Sequence, residues 1–195
     1  MGNVSKRWNK REIFTIPNLM SLIRLFLIPI IMWLYLGKND HVAAAVVILI
    51  SAATDVADGF IARTFHMVSE VGKFIDPVAD KLTQGAICVC LGISFWQVWV
   101  LMGLMAIKEA LMLSVGLMIL RRNDKINSAQ WYGKACTAII ELSFMFLVVW
   151  GETIPRLAVD IIIYVLMAVV VITLILYMRF YAKQLKGPAP AETEE

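Results

Sequence analysis

The sequence predicts an all-α integral membrane protein, with six transmembrane helices, a short N-terminal interfacial helix and both termini cytoplasmic. Three observations carry this expectation. The 195 residues are 60% hydrophobic and only 17% charged, whereas soluble domains average about 45–50% apolar and about 25% charged. Apolar runs of about 20 residues recur along the chain, each long enough to cross a hydrocarbon core of roughly 30 Å. The basic residues gather in alternate connections between those runs.

Residues 1–16 form a basic interfacial arm. Lys6, Arg7, Lys10 and Arg11 precede Ile13, Phe14 and Ile16, with Trp8 at headgroup level. The first span covers residues 17–37. Pro17 suits its first turn, where a missing N–H is no loss, and Pro29 is expected to kink it. Lys38, Asn39 and Asp40 make a turn, and the second span covers 41–62. A polar loop with His66 and Glu70 leads to the third span, 72–95. The fourth covers 97–120, the fifth 130–150 and the sixth 157–178. Residues 17–183 thus read as one six-helix transmembrane domain, and the tail, 184–195, as disordered for want of apolar residues. His41 is expected to face solvent, and His66 to be a solvated loop histidine. Cys88, Cys90 and Cys136 read as small apolar packing residues, and Trp96, Trp99, Trp131 and Trp150 as interfacial anchors near span ends.

Lys6, Arg7, Lys10, Arg11, Arg63, Lys73, Arg121, Arg122, Lys125, Arg179, Lys183 and Lys186 fall on one side of this topology. Lys38 and Arg156 fall on the other. The excess marks the cytoplasmic side. A multi-pass protein of the cytoplasmic membrane follows, with residues 55–80 at its cytoplasmic face. The net charge of +3 is too small to argue for a nucleic-acid partner.

Four carboxylates dominate the chemistry: Asp55 and Asp58 at the end of the second span, Asp76 and Asp80 at the start of the third. Residues three and four apart share a helix face, so each pair projects together and two helices can bring the pairs together. A carboxylate at membrane depth costs roughly 2.5–3.5 kcal/mol on insertion scales. Divalent cations offset that cost, and magnesium or manganese suits an all-oxygen ligand set. Two such ions about 3.5–4 Å apart clamp the attacking and leaving oxygens of a phosphoryl-type displacement. Gly59 and Ala62 leave a hollow beside the carboxylates, Arg63 offers a forked donor to a diphosphate, and Gly72 allows a second close approach. Arg24 lies within the first span and either snorkels to the interface or faces a polar cavity near the carboxylates.

The pattern Asp55-xx-Asp58-Gly59-xx-Ala62-Arg63-x8-Gly72-xxx-Asp76-xxx-Asp80 resembles the signature of the CDP-alcohol phosphotransferases at all eight fixed positions. The resemblance extends to the six-helix fold over nearly the whole chain. It implies transfer of a phosphatidyl group from CDP-diacylglycerol to an alcohol, with release of CMP, in a homodimer. It further implies that Asp55, Asp58, Asp76 and Asp80 bind two Mg2+ or Mn2+ ions. Asp80 is then the general base. Asp55, Asp58, Gly59, Ala62, Arg63 and Gly72 surround the CDP moiety.

Ile16-Pro17-Asn18 with Ser21 and Arg24, and the run Gly72 to Lys81, look like the phosphatidylglycerophosphate synthase branch, whose acceptor is glycerol 3-phosphate. Lys108, Arg121, Lys134 and Arg24 are the candidate acceptor-binding residues. Enzymes of that branch usually carry Arg-Glu where this chain has Lys108-Glu109. They usually carry Gly-Lys-x-Lys-Thr where it has Gly133-Lys134-Ala135-Cys136-Thr137. These departures make cardiolipin synthase of the same superfamily, with phosphatidylglycerol as acceptor, the alternative. Divalent-cation transport is a distant third reading. The carboxylates cluster by one membrane face and not along a path, and no inverted repeat is visible.

Overall fold

The computed structural model describes residues 16–64, 72–123 and 131–186. The basic arm up to residue 15, the loop with His66 and Glu70, the loop with Lys125 and the tail from residue 187 lie outside the described residues. Among those described, every regular element is helical. The helices are α1 (Ile16–Met32), α2 (His41–Thr64), α3 (Gly72–Ser94), α4 (Gln97–Asn123), α5 (Trp131–Trp150) and α6 (Arg156–Lys186), with a π-helical turn at Trp33–Gly37 after α1.

Local chemistry explains most boundaries. α1 carries Pro29 within its length and remains α-helical to Met32. The irregularity comes later, as the π-turn, where the Lys38 N–H reaches the Trp33 carbonyl at 3.1 Å. Asn39 takes a positive φ of 50°, a conformation that Asn tolerates better than most residues. Asp40 then caps α2, its carboxylate accepting the Ala43 N–H at 2.9 Å. Beyond α5, the Gly151 N–H returns to the Leu147 carbonyl at 2.8 Å, and the chain turns before Arg156. Serine and threonine hydroxyls inside the helices bond back to the carbonyl four residues earlier, as Thr54 does to Ile50, Thr83 to Ala79 and Thr173 to Val169. That leaves no hydroxyl of these three bare in apolar surroundings.

Among the described residues, five helical stretches are long and apolar enough to cross a membrane: Asn18–Gly37, His41–Phe60, Gln97–Met118, Trp131–Trp150 and Arg156–Ala182. Large apolar side chains face outward along them, among them Phe26, Leu49, Leu113, Leu142 and Leu157, as lipid contact requires. Trp33, Trp96, Trp131 and Trp150 are exposed close to helix ends. α3 is as long as these, at 23 residues. It is not among the five because Lys73, Asp76, Asp80, Lys81, Thr83 and Gln84 make its first half polar.

The chain divides into two compact units, Met1–Ser94 and Phe95–Glu195. In the first, α1 packs against both α2 and α3. In the second, α6 packs against both α4 and α5. The α6 core stripe is Val159, Ile163, Leu166, Val170, Thr173 and Tyr177, spaced three and four apart as one helix face demands. Cys88, Cys90 and Cys136 are buried free thiols. His41 corrects an expectation. It does not stand free in solvent but is half-buried, its ring edge-on to Tyr35 with centroids 4.6 Å apart.

Candidate functional site

The site grows from one change of character along the α1–α2 contact. Tyr35 meets His41 at one end and Arg24 meets Asp55 and Asp58 at the other, so the two helices run antiparallel. On α2 the buried stripe begins with Ala44 and Ile48, then turns polar at Ser51 and Asp58. On α1 and the π-turn after it the stripe is Ile31 and Tyr35 at the far end, and Asn18, Ser21 and Arg24 opposite the polar half of α2. Apolar lies against apolar, and polar against polar, at matching levels of the pair. Residues 18, 21 and 24 are each three apart, which keeps them near one face of α1.

Arg24 is 2% exposed. Its Nη2 lies 2.6 Å from Asp55 Oδ1 and donates to Asp58 Oδ2 at 2.8 Å. Its Nη1 donates to Asp80 Oδ1. One turn earlier, the Ser21 hydroxyl donates to Asp76 Oδ1. All four carboxylates are thus held by α1, three of them by a single guanidinium. The arginine fork suits such shared geometry, which a lysine point charge could not reproduce.

The carboxylates differ in access. The Asp58 side chain is 5% exposed, whereas those of Asp55 and Asp80 are 46% and 51% exposed. Asp58 anchors the floor of the cluster. Asp55 and Asp80 keep an open side that an incoming molecule can reach.

The donor set is oxygen-only and comes from two facing helices, which suits magnesium or manganese. Among the described residues, no three His, Cys, Asp or Glu side chains already surround a common ion position. Guanidinium nitrogens stand among the oxygens as the cation. The residues therefore fit divalent ions in donor chemistry and in charge, with Arg24 as the stand-in. Four carboxylates, three on one arginine and the fourth on a serine, leave an excess of negative charge.

Gly59 is half-buried one residue beyond Asp58. Ala62 and Arg63 belong to the last turn of α2, and Gly72 opens α3; the side chains of Ala62 and Arg63 lie outside the described set. Of the acceptor candidates, Arg24 belongs to the carboxylate cluster. Lys108 sits on the buried stripe of α4 after Val98, Leu101 and Met105, with Nζ 3.2 Å from Glu109. Lys134 is exposed on α5, and Arg121 is in the last turn of α4, its side chain outside the described set.

Ser21 and Ser51 are the residues that sequence reasoning did not bring to the site. Ser51 lies four and seven residues before Asp55 and Asp58, on their face of α2, and its buried hydroxyl has no hydrogen-bond partner. The signal for both was the same spacing that marks the carboxylates.

Comparison with known proteins identifies the family. Residues 14–178 match the CDP-alcohol phosphatidyltransferase family. A cardiolipin synthase (CMP-forming)/mitochondrial hydrolase fusion protein of Schizosaccharomyces pombe is 36% identical over 123 residues, 63% of this chain and 18% of that protein. The CDP-diacylglycerol–glycerol-3-phosphate 3-phosphatidyltransferase of Bacillus subtilis is 37% identical over 92 residues, 40% of this chain and 48% of that one. A cardiolipin synthase (CMP-forming) of Streptomyces coelicolor is 30% identical over 145 residues, 70% of this chain and 66% of that one. The matches span less than two thirds of each relative's own length. With its motif carboxylates gathered by α1 and the family match running through all six helices, the chain belongs to the CDP-alcohol phosphatidyltransferase family.

Proposed function

We propose that the chain transfers the phosphatidyl group of CDP-diacylglycerol to glycerol 3-phosphate and releases CMP. The observation that carries this reading is the convergence of Asp55, Asp58, Asp76 and Asp80 on α1 in a chain of this family. Two Mg2+ or Mn2+ ions held by these carboxylates would neutralise the donor diphosphate. Asp80, half-exposed, takes the proton of the acceptor hydroxyl. The acceptor oxygen bonds to the lipid phosphorus, and the bond from that phosphorus to the oxygen of CMP breaks, its electron pair leaving with CMP. Asp58, buried, fixes the floor of the site. Gly59, Ala62, Arg63 and Gly72 take up the CDP moiety, and Lys108, Arg121 and Lys134 the acceptor phosphate.

In this reading α3 is the sixth span. Its polar half is tolerated because its carboxylates face α1 and the cations rather than lipid. Both termini and the site lie at the cytoplasmic face, in line with the positive-inside count, and the protein works as a homodimer of the cytoplasmic membrane.

A specific observation favours a second acceptor. The alignment to a CMP-forming cardiolipin synthase covers 70% of the chain, against 40% for the glycerol-3-phosphate enzyme. Cys136, where the glycerol-phosphate branch usually has a lysine, is buried. The deciding experiment measures CMP release by the purified protein in detergent, with CDP-diacylglycerol and magnesium, and either glycerol 3-phosphate or phosphatidylglycerol. Turnover with the first supports the proposal, and turnover only with the second replaces it by cardiolipin synthesis. No CMP with either, from folded protein that binds Mn2+, would overturn the transferase reading.

A further inference from the structure

We infer that Arg24 is the positioning residue of the carboxylate cluster and acts as its internal counter-charge, competing with divalent cations for the oxygens of Asp55, Asp58 and Asp80. This rests on the two-metal reading above and assigns it a residue from outside the motif.

Four observations carry it. Arg24 is buried, so it does not snorkel to an interface. Each of its polar contacts is to a motif carboxylate: Asp55 and Asp58 through Nη2, and Asp80 through Nη1. Its Nε, also buried, bonds to nothing, so the guanidinium is not docked side-on upon one carboxylate, and its two Nη groups spread across three. The contacts tie α1 to both α2 and α3, whose separate carboxylate pairs would otherwise repel.

The competition follows from distance. A guanidinium N–H uses a carboxylate oxygen at 2.6–2.8 Å here, whereas magnesium takes the same oxygen at about 2.0–2.1 Å. The same lone pairs cannot serve both at full strength. An arriving divalent ion must loosen at least part of the Arg24 network. In return it offers two charges to a cluster that one arginine leaves negative. Asp76, held by Ser21 instead of Arg24, is the carboxylate that can receive a cation without that exchange. Arg24 thus keeps the cluster assembled before metal arrives, and sets the metal concentration at which the exchange occurs.

The test uses the full chain in detergent, stripped with EDTA, as wild type, Arg24→Lys and Arg24→Gln. Free Mn2+ is followed by electron paramagnetic resonance during titration, and thermal unfolding is recorded in EDTA and in saturating Mn2+. Arg24→Gln should melt at lower temperature than wild type in EDTA, with the gap closing in Mn2+. Its Mn2+ midpoint should fall roughly ten-fold, because the competing cation is gone. Arg24→Lys retains the charge without the fork and should fall between the two, which keeps the test informative if the glutamine variant does not fold. Unchanged or weaker Mn2+ binding in these variants overturns the inference. So does a raised KM for glycerol 3-phosphate at an unchanged Mn2+ midpoint, which would put Arg24 in the acceptor pocket. A wild-type protein that releases CMP on magnesium separates failure of this inference from failure of the transferase reading.

Discussion

Two arginine clusters, one in each unit, use similar parts to different ends. Arg24 in the first unit is buried and holds three carboxylates, beside a fourth that Ser21 holds. Arg156 in the second has a side chain 50% exposed and pairs with Asp160 one turn along α6, at 3.5 Å. Gln97 at the start of α4 completes that second cluster. Its amide donates to Asp160 at 2.7 Å and accepts from Arg156 at 3.4 Å, and the guanidinium lies over the Phe95 ring. In the contacts described, an acid meets a base there and an amide bonds to both. It is a strut between α4 and α6. Around Arg24 the acids outnumber the base, and that imbalance, more than the presence of buried charge, separates a site from a strut.

The contrast is broken most readily by neutralising one acid in each cluster. Asp80→Asn should lower CMP release by about 10²–10⁴-fold, the range for loss of a general base. Asp160→Asn should leave turnover per folded molecule as it was. A large loss in the second variant would end the distinction.

Metal sharpens it next. Adding Mn2+ to EDTA-stripped protein should raise stability by about 2.7 kcal/mol at a hundred times the dissociation constant, read as a higher melting temperature. The Asp160→Asn protein should show the same rise, and Asp58→Asn little or none. Activity lost in EDTA should return with Mg2+ or Mn2+.

Gln97→Leu tests the strut itself. It strips Asp160 of its nearest donor and should cost about 1–3 kcal/mol in denaturant unfolding, with no change in the Mn2+ midpoint. The smallest effect belongs to Lys134→Ala. An exposed lysine should matter to stability by no more than about 0.5 kcal/mol. A rise in KM for glycerol 3-phosphate, with stability held, would then report acceptor binding alone.

Much of the helical order was legible in the chain. Apolar runs broken by Lys38-Asn39-Asp40 and by Gly151 to Pro155 place the helices within a few residues, because a span must be long and a turn must be polar or kinked. The carboxylate pairs were legible too, since spacing alone assigns them to faces. What faces them was not. Spacing fixes the face of α2 that bears Asp58, but the rotation of α1 that aims Arg24 at it depends on packing farther along, at Ile31, Tyr35, Ala44 and Ile48. Hence Arg24 could be read as an interfacial residue or a cavity residue, and Ser21 received no role. His41 was misjudged for the same reason: its polarity suggested water, while Tyr35 offered a ring edge. α3 shows the converse limit. Its length reads as a span, yet its first half is too polar for composition alone to place it in a membrane.

The order of synthesis gives the Arg24 network one more meaning. Arg24 precedes Asp58 by 34 residues and Asp80 by 56. α1 is therefore made before either helix that supplies its anions, and its charge would cost about 2.5–3.5 kcal/mol if it reached the bilayer centre unpaired. α2 brings relief from one direction and α3 from another. Of these three helices α1 is made before the two that hold its guanidinium, so the unit matures as a set of three.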